Sequence, residues 1–344
     1  MSTRRKIGCS LLFLGLIHAA SVCAGFLAPY DPEAQNRAFP FAPPARFHVV
    51  DSRGWFHLRP FVYALADRSG VAGGYVEDTS KAYPVRFFAV SHPGGQQHSR
   101  RHLFGVEAPG TLFVLGTDEL GRDQLSRLLH GGRISLFSGL LATALSLGIG
   151  LTLGAVAGYF DGWVDDAVMR LAELFLALPW LYCLLAFRAF LPLHITPGQT
   201  FLLLVIVIGV RGWARTARLI RGIVLSAKER DHVLAARGFG ASAPYLLIHH
   251  VLPQTTGTLL TQAALLVPQY VLAEVTLSFL GLGVAEPAPT WGNMLASLQH
   301  YYVLASYWWM CLPGLVLVPV FLAYNTLANA LNERSNVGGL GELR

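Results

Sequence analysis

The chain is 344 residues long, 53% hydrophobic and 13% charged, with a formal net charge of +6. An ordinary soluble domain carries roughly 25% Asp, Glu, Lys and Arg, so the composition excludes a water-soluble enzyme. It excludes fibrous and disordered chains as well, because the 35 Gly and 19 Pro follow no collagen period and the apolar content is far too high for disorder.

The charge is unevenly placed: 22 of the 46 charged residues fall between Asp31 and Arg133, so one polar block interrupts an apolar chain. About 20 apolar residues are needed for a helix to cross a bilayer. The first charge-free window, Ile7 to Tyr30, follows Arg4, Arg5 and Lys6. Lys and Arg near a span resist translocation, which puts the N-terminus in the cytoplasm. The competing reading is a cleaved signal peptide, with Val22-Cys23-Ala24 as a small-residue cleavage site. Cys9, Cys23, Cys183 and Cys311 all lie inside predicted spans, so no disulfide is expected and four scattered thiols give no metal-ligand spacing.

Asp31 to about Gly116 reads as a small external insertion, with turn-rich stretches at Phe39 to Pro44 and His92 to Gly95. Alternation in Phe56 to Tyr63 and in Val85 to Val90 predicts short strands. His98 and His102 are four apart, but the surrounding Gly and Ser read as a loop and the pair as solvated. No Ser-His-Asp order, nucleophile elbow or paired-carboxylate pattern stands out in the block.

Further charge-free windows follow at Ile134 to Phe160, Ala189 to Val210, Gly238 to Ala273 and Pro287 to Asn332. Ala167 to Phe190 contains Arg170, Glu173 and Arg188, but its centre from Leu174 to Phe187 is uncharged and its ends can snorkel. That makes six predicted spans and returns the C-terminus to the cytoplasm. Gly150, Gly154 and Gly158 repeat every four residues along the second span and give one smooth face for a neighbouring helix, within the bundle or on a sister subunit. Asp165, Asp166 and Arg170 read as a solvated, partly paired end of the third. The loops predicted inside hold most of the remaining basic residues, so the positive charge is topology and a nucleic-acid partner is not expected.

Between the fourth and fifth spans, Arg211, Arg215, Arg218 and Arg221 form a basic stripe facing lipid headgroups. Ser226 to Arg237 is helix-compatible, Gly238 and Gly240 interrupt it, Ser242 can cap a second helix with Pro244 in its first turn, and Pro253 stops that helix. Such an exposed pair is shaped to sit in a groove on another protein. Glu274 lies toward the outer end of the fifth span, where an ionisable group is costly unless paired or wetted. It reads either as a pathway or gating residue, with Ser278, or as a structural hydrogen bond. The only lysines are Lys6, Lys81 and Lys228, none in a Gly-Lys-Ser/Thr setting, so the chain has no P-loop and ATP must be held elsewhere.

Leu234-Ala235-Ala236-Arg237-Gly238-Phe239-Gly240-Ala241-Ser242, followed by His250-Val251-Leu252-Pro253, resembles the Glu-Ala-Ala loop of ABC importer permeases. Leu234 stands where that family has Glu, so any salt bridge made by the Glu is lost. Leu27 to Pro32, Gly116 to Arg127, Glu274 to Gly283 and Pro289 to Leu295 are similar to the oligopeptide, dipeptide and nickel branch, in its C-type permease subunit. The insertion from about Phe39 to Ala108 is longer than usual in that branch and has a likeness to its microcin-importing members.

The resemblance implies an all-α membrane protein with the ABC importer permease fold: six transmembrane helices and a small β-rich external insertion between spans 1 and 2. Residues 1–30 would be the cytoplasmic N-terminus and first span, 31–115 the external insertion, 116–332 the permease domain with a coupling loop at about 222–253, and 333–344 a cytoplasmic tail. Ala235, Ala236, Arg237, Gly238, Gly240, Ala241, Ser242, His250, Leu252 and Pro253 would form the ATPase-docking loop. The implied partners are a second permease subunit, one or two ATPase subunits carrying ATP and Mg, an external solute-binding protein and membrane lipid, with no cofactor in this chain. The implied cargo is a peptide or similar small solute. An ion-coupled secondary transporter and a membrane-embedded enzyme are the rivals. The first usually shows inverted repeats, which are not seen here, and the second needs a catalytic constellation that Glu274 alone does not supply.

Overall fold

The apolar stretch after the basic start forms helix α1, Thr3–Val22, followed by the short helix α2, Ala24–Leu27. A computed structural model describes residues 2–67, 74–91, 100–179, 182–183, 185–186 and 196–341. Contacts divide the chain into two compact units: Met1–Gly15 with Leu136–Thr276 and Val318–Arg344, and Leu16–Ser135 with Leu277–Leu317.

In the second unit the polar block folds into strands. Strands β1 (His48–Val50), β2 (Phe56–Asp67) and β3 (Tyr75–Pro84) make an antiparallel sheet in that order, with Phe61 opposite Pro84. Strands β4 (Arg86–Ser91) and β5 (Arg100–Gly105) pair antiparallel, Arg86 opposite Gly105. The period-2 pattern of β2 is used on both faces. Phe61 and Tyr63 stack edge to face at 5.2 Å on one side, and Val62 packs with Val85 and Leu112 on the other. His102 corrects the solvated-loop reading: it lies in β5, is buried, and donates through Nδ1 to the Ala28 carbonyl. Its neighbours are turn formers, but strand pairing and a buried acceptor overrule them. His98 lies outside the described residues.

Where a chain crosses lipid every backbone group must be satisfied within its own segment, so the apolar windows become helices. Helix α3 spans Gln124–Phe160 and starts ten residues before the predicted window; α4 spans Gly162–Ala177 after a tight turn with positive φ at Asp161 and Gly162. Helix α5, Pro197–Ala227, opens with a capping box between Thr196 and Gln199 and has Pro197 in its first turn. Among the described residues, five helical stretches are long and apolar enough to cross a membrane: Thr3–Val22, Gln124–Phe160, Pro197–Ala227, Ala243–Phe279 and Trp308–Arg334. The predicted third span supplies α4, which ends at Ala177, while residues 180, 181, 184 and 187–190 of it lie outside the described residues.

Helix α6 is Asp231–Gly238 and α7 is Ala243–Leu246. The continuous helix expected over Ser226 to Arg237 is therefore broken: α5 runs on to Ala227, and a turn at 228–230 precedes α6. Pro253 does not stop the chain's helical path. A π-helical turn at Leu247–Val251 and a 3-10 turn at Leu252–Thr255 lead into α8, Thr256–Phe279. Proline lacks an N–H and crowds the carbonyl four residues back. The widened winding relieves that conflict without ending the helix. Helices α9 (Trp291–Ala296, capped by Thr290 and Asn293), α10 (Tyr301–Ser306) and α11 (Leu312–Gly341) complete the chain.

Candidate functional site

The segment between α5 and α8 is built on a small apolar core. Val233 of α6, Leu246 of α7 and Val251 pack against Ile220 and Val224 of α5, with Ala236, Ala241 and Leu252 partly buried against them. The Ala235-Ala236 pair is small enough to let α6 lie close to that surface. Asp231 in the first turn of α6 and Arg237 in its last both match the helix dipole.

The bend has a defined geometry. Gly240 has φ +86°, its N–H donates to the Arg237 carbonyl at 3.0 Å, and the Ala241 N–H donates to the Ala236 carbonyl at 3.1 Å. This is a Schellman motif, which needs a left-handed residue at the position of Gly240. Gly238 closes α6 without a positive φ. Ser242 occupies the N-cap position of α7, but its side chain makes no capping bond, which corrects the capping expectation. Pro244 does lie in the first turn. His250 contributes its carbonyl to Gln254, and its ring meets Tyr245 at 5.8 Å and His232 at 6.1 Å.

Large apolar side chains stand on the outer surface of this segment. Phe239, at the tip of the bend, is 93% exposed, and Leu234, Tyr245 and Ile248 are exposed as well. Phe239 was absent from the residues singled out by sequence; a large apolar residue between two glycines was the available signal.

Along α3, the glycine stripe faces α5. A Cβ on Gly150 would meet Thr216, one on Gly154 would lie 2.4 Å from the Ala217 carbonyl oxygen, and one on Gly158 would crowd Val224. The basic stripe of α5 is not uniformly free for lipid: Arg221 forms a two-pronged pair with Asp165 of α4, and Lys228 pairs with Asp161. A charge at either end of a span is better met by a nearby carboxylate than by solvent alone, which is why the stripe reading fails at Arg221. Glu274 is fully buried in α8, and Ser278 is 2% exposed. A second Schellman motif ends α8 after Ser278: Gly281 has φ +74°, its N–H donates to the Ser278 carbonyl, and the Leu282 N–H reaches the Leu277 carbonyl.

In the second unit three of the sequence segments come together. Asp118 accepts from the backbone N–H of Leu120 and Arg122 and from Arg122 Nε, while Glu286 receives both Arg122 and Arg127. Arg127 also reaches the Pro32 carbonyl, and the Tyr30 N–H donates to Ser126 Oγ. Trp291 donates its indole N–H to Leu128 and its backbone N–H to Ser135, with Gly131 leaving room for Thr290. Burial alone would lower the Arg122 guanidinium, but Asp118 and Glu286 outweigh it and hold it above its ordinary value. Asp123 accepts from the Ser126 N–H and hydroxyl, and burial pushes its carboxyl up to about 7 against those bonds. Burial likewise pushes the Tyr30 phenol up to about 12.

Comparison with known proteins identifies the family. Residues 150–337 match the family described as binding-protein-dependent transport system inner membrane component. The chain is 33% identical over 323 residues to the di/tripeptide transport system permease protein DppC of Pseudomonas aeruginosa, covering 94% of this chain and 85% of that one. It is 36% identical over 226 residues to the dipeptide transport system permease protein DppC of Bacillus subtilis, covering 65% and 68% of the two chains. It is 33% identical over 227 residues to the glutathione transport system permease protein GsiD of Pectobacterium atrosepticum, covering 66% and 73%. A bent, surface-exposed helix pair between long apolar helices, in a chain with this match, is part of a transport component and not of an enzyme. The chain belongs to the binding-protein-dependent transport system inner membrane components, as a permease subunit of an ABC importer.

Proposed function

We propose that this permease imports peptides or closely related small solutes and is driven by separate ATPase subunits that grip the α6–α7 bend. The observation that carries the reading is the Schellman bend at Gly240, which presents Phe239, Leu234 and Tyr245 as an apolar knob on a packed base. ATP and Mg sit on one or two partner ATPase chains, a second permease chain completes the pathway, and an external binding protein delivers cargo. The relatives whose names specify di- or tripeptides, dipeptides and glutathione support a peptide-like cargo.

In this reading the chain has six spans, α4 belonging to the third in chain order. Residues 31–115 form the external insertion, and both termini lie in the cytoplasm. The pairing of Lys6 with Glu333 at 3.1 Å supports termini on one side. Closure of the ATPases moves the bend as a rigid body and switches the helices between inward-open and outward-open packings. Glu274 and Ser278 are the proposed gating pair, and the stripe of Gly150, Gly154 and Gly158 lets α3 and α5 move as one.

The test is copurification in mild detergent followed by uptake in proteoliposomes. The expected result is an associated ATPase and peptide uptake that requires ATP inside and the binding protein outside. Movement of solute by this chain alone on a proton gradient, with no ATPase attached, would sink the proposal in favour of a secondary transporter.

A further inference from the structure

Helices α5 and α8 line an open cleft of about 370 Å³ that none of the preceding roles uses. That volume lies within the roughly 300–1,000 Å³ typical of small-molecule sites. Its polar lining is Arg211 and Arg215 from α5 with Gln269 and Tyr270 from α8, and its apolar lining includes Ile208 and Leu272. Arg211 and Arg215 are four residues apart and so share one helical face.

The site is built, not incidental. The Tyr270 hydroxyl is 3.0 Å from Ser146 Oγ of α3, and Gly212 leaves the space it occupies: a Cβ at Gly212 would fall 1.7 Å from that oxygen. Arg211 Nη2 reaches the Leu178 carbonyl at 3.3 Å, while its buried Nε has no hydrogen-bond partner. Among the described residues no carboxylate pairs with Arg211 or Arg215, whereas Arg221 further along the same helix is closed onto Asp165. Residues 180–195 contain no Asp or Glu that could serve instead. Arg211 is half-buried and Arg215 exposed, so both guanidinium groups are within reach of a ligand that brings the missing counter-charge. A carboxylate matches the guanidinium fork in both charge and geometry.

We propose that this cleft binds the free carboxylate of the transported solute, Arg211 and Arg215 holding the two oxygens, Tyr270 and Gln269 adding hydrogen bonds, and Ile208 and Leu272 contacting the adjoining side chain. This rests on the peptide-import reading and adds a polarity to it: the solute is recognised by its carboxyl end.

The test uses the full permease complex, purified without the solute-binding protein. It is incubated with a mixture of dipeptides or with the same mixture as carboxy-terminal amides, and retained peptide is measured by mass spectrometry. The expected result is retention of free dipeptides and about 10- to 100-fold weaker retention of amides, the range for losing a hydrogen bond between charged groups. Arg211→Gln should show the same loss, Arg211→Lys a smaller one, and Tyr270→Phe, which deletes one oxygen, a several-fold loss even if the arginine variants assemble poorly. Equal retention of amides, undiminished binding by Arg211→Gln and Tyr270→Phe, or no retention of any dipeptide would overturn the site. So would displacement of dipeptide by phosphatidylglycerol, which would make this a lipid headgroup site. Uptake by the wild type with an unchanged KM in Arg211→Gln would remove this site and leave the importer reading intact, while absence of ATP-driven uptake in the wild type would remove the importer reading itself.

Discussion

Asp118 holds Arg122 at two points, accepting its backbone N–H at 2.9 Å through one carboxylate oxygen and its side-chain Nε at 2.6 Å through the other. The side chains of Arg122 and Asp118 are 7% and 4% exposed, so neither charge is covered by water. Removing one partner of a buried pair costs about 3–5 kcal/mol because the other charge is stranded. Asp118→Asn should therefore lower the thermal midpoint of the purified protein sharply, whereas Lys81→Ala, whose distant 3.9 Å pair with Asp78 is exposed, should not. An unchanged midpoint in Asp118→Asn would show that Glu286 alone suffices.

Asp123 makes the same region sensitive to pH. Its carboxyl is pushed up to about 7 in the fold by burial, against an ordinary value near 3.8. A raised acid favours the protonated fold, so its contribution is complete below about pH 4 and is lost as pH rises to about 7 and beyond. The wild-type thermal midpoint should fall across that window, while Asp123→Asn, which keeps an acceptor for Ser126, should lose that component of the slope. Parallel curves for the two proteins would refute the assignment.

The Gly240 bend, proposed to dock the ATPase, yields a sharper contrast. A Cβ added to Gly240 would meet nothing within 4 Å, so a side chain there meets only the strain of φ +86°, on the order of 1–2 kcal/mol for an L residue. Gly240→Val should leave insertion and topology intact, weaken ATPase copurification and abolish uptake. Gly198→Ala, also in open space but without a positive φ and outside the loop, is the control and should transport normally. Full uptake by Gly240→Val would reduce this segment to an ordinary loop.

Packing of α3 on α5 separates two glycines of one helix. At Gly154 a Cβ would lie 2.4 Å from a backbone oxygen that cannot step aside, whereas Gly148 faces open space. Gly154→Ala should reduce the amount of folded permease recovered from membranes several-fold, and Gly148→Ala should match wild type. Equal recovery would mean that the two helices separate at little cost.

The legible parts of the fold are those written locally. The apolar windows locate the long helices because lipid leaves the backbone no other solution, and the Gly240 bend follows from a glycine that a left-handed cap requires. The Thr196-Gln199 box and the start of α3 were within reach of capping rules but lay under the search for charge-free windows. What the sequence hides are distant partners. Glu286 meets Arg127 from 159 positions away, and His102 meets the Ala28 carbonyl from 74, so no neighbouring pattern names either contact. Pro253 misleads for a different reason: the rule that proline ends a helix holds for α winding, and the chain changes its winding there.

That change of winding sets the azimuth of everything downstream. From Ala243 to Phe279 the helical path is 37 residues long, and each residue of an α-helix turns the chain by about 100°. The wide turn at Leu247–Val251 holds one residue more per hydrogen-bonded ring than its neighbours. Wound as ordinary α-helix, the same five residues would turn α8 by about a quarter turn more, carrying Tyr270 away from Ser146 and Val271 away from Gly139. The compass bearing of α8 is thus fixed beside the Gly240 bend, about five turns before Tyr270.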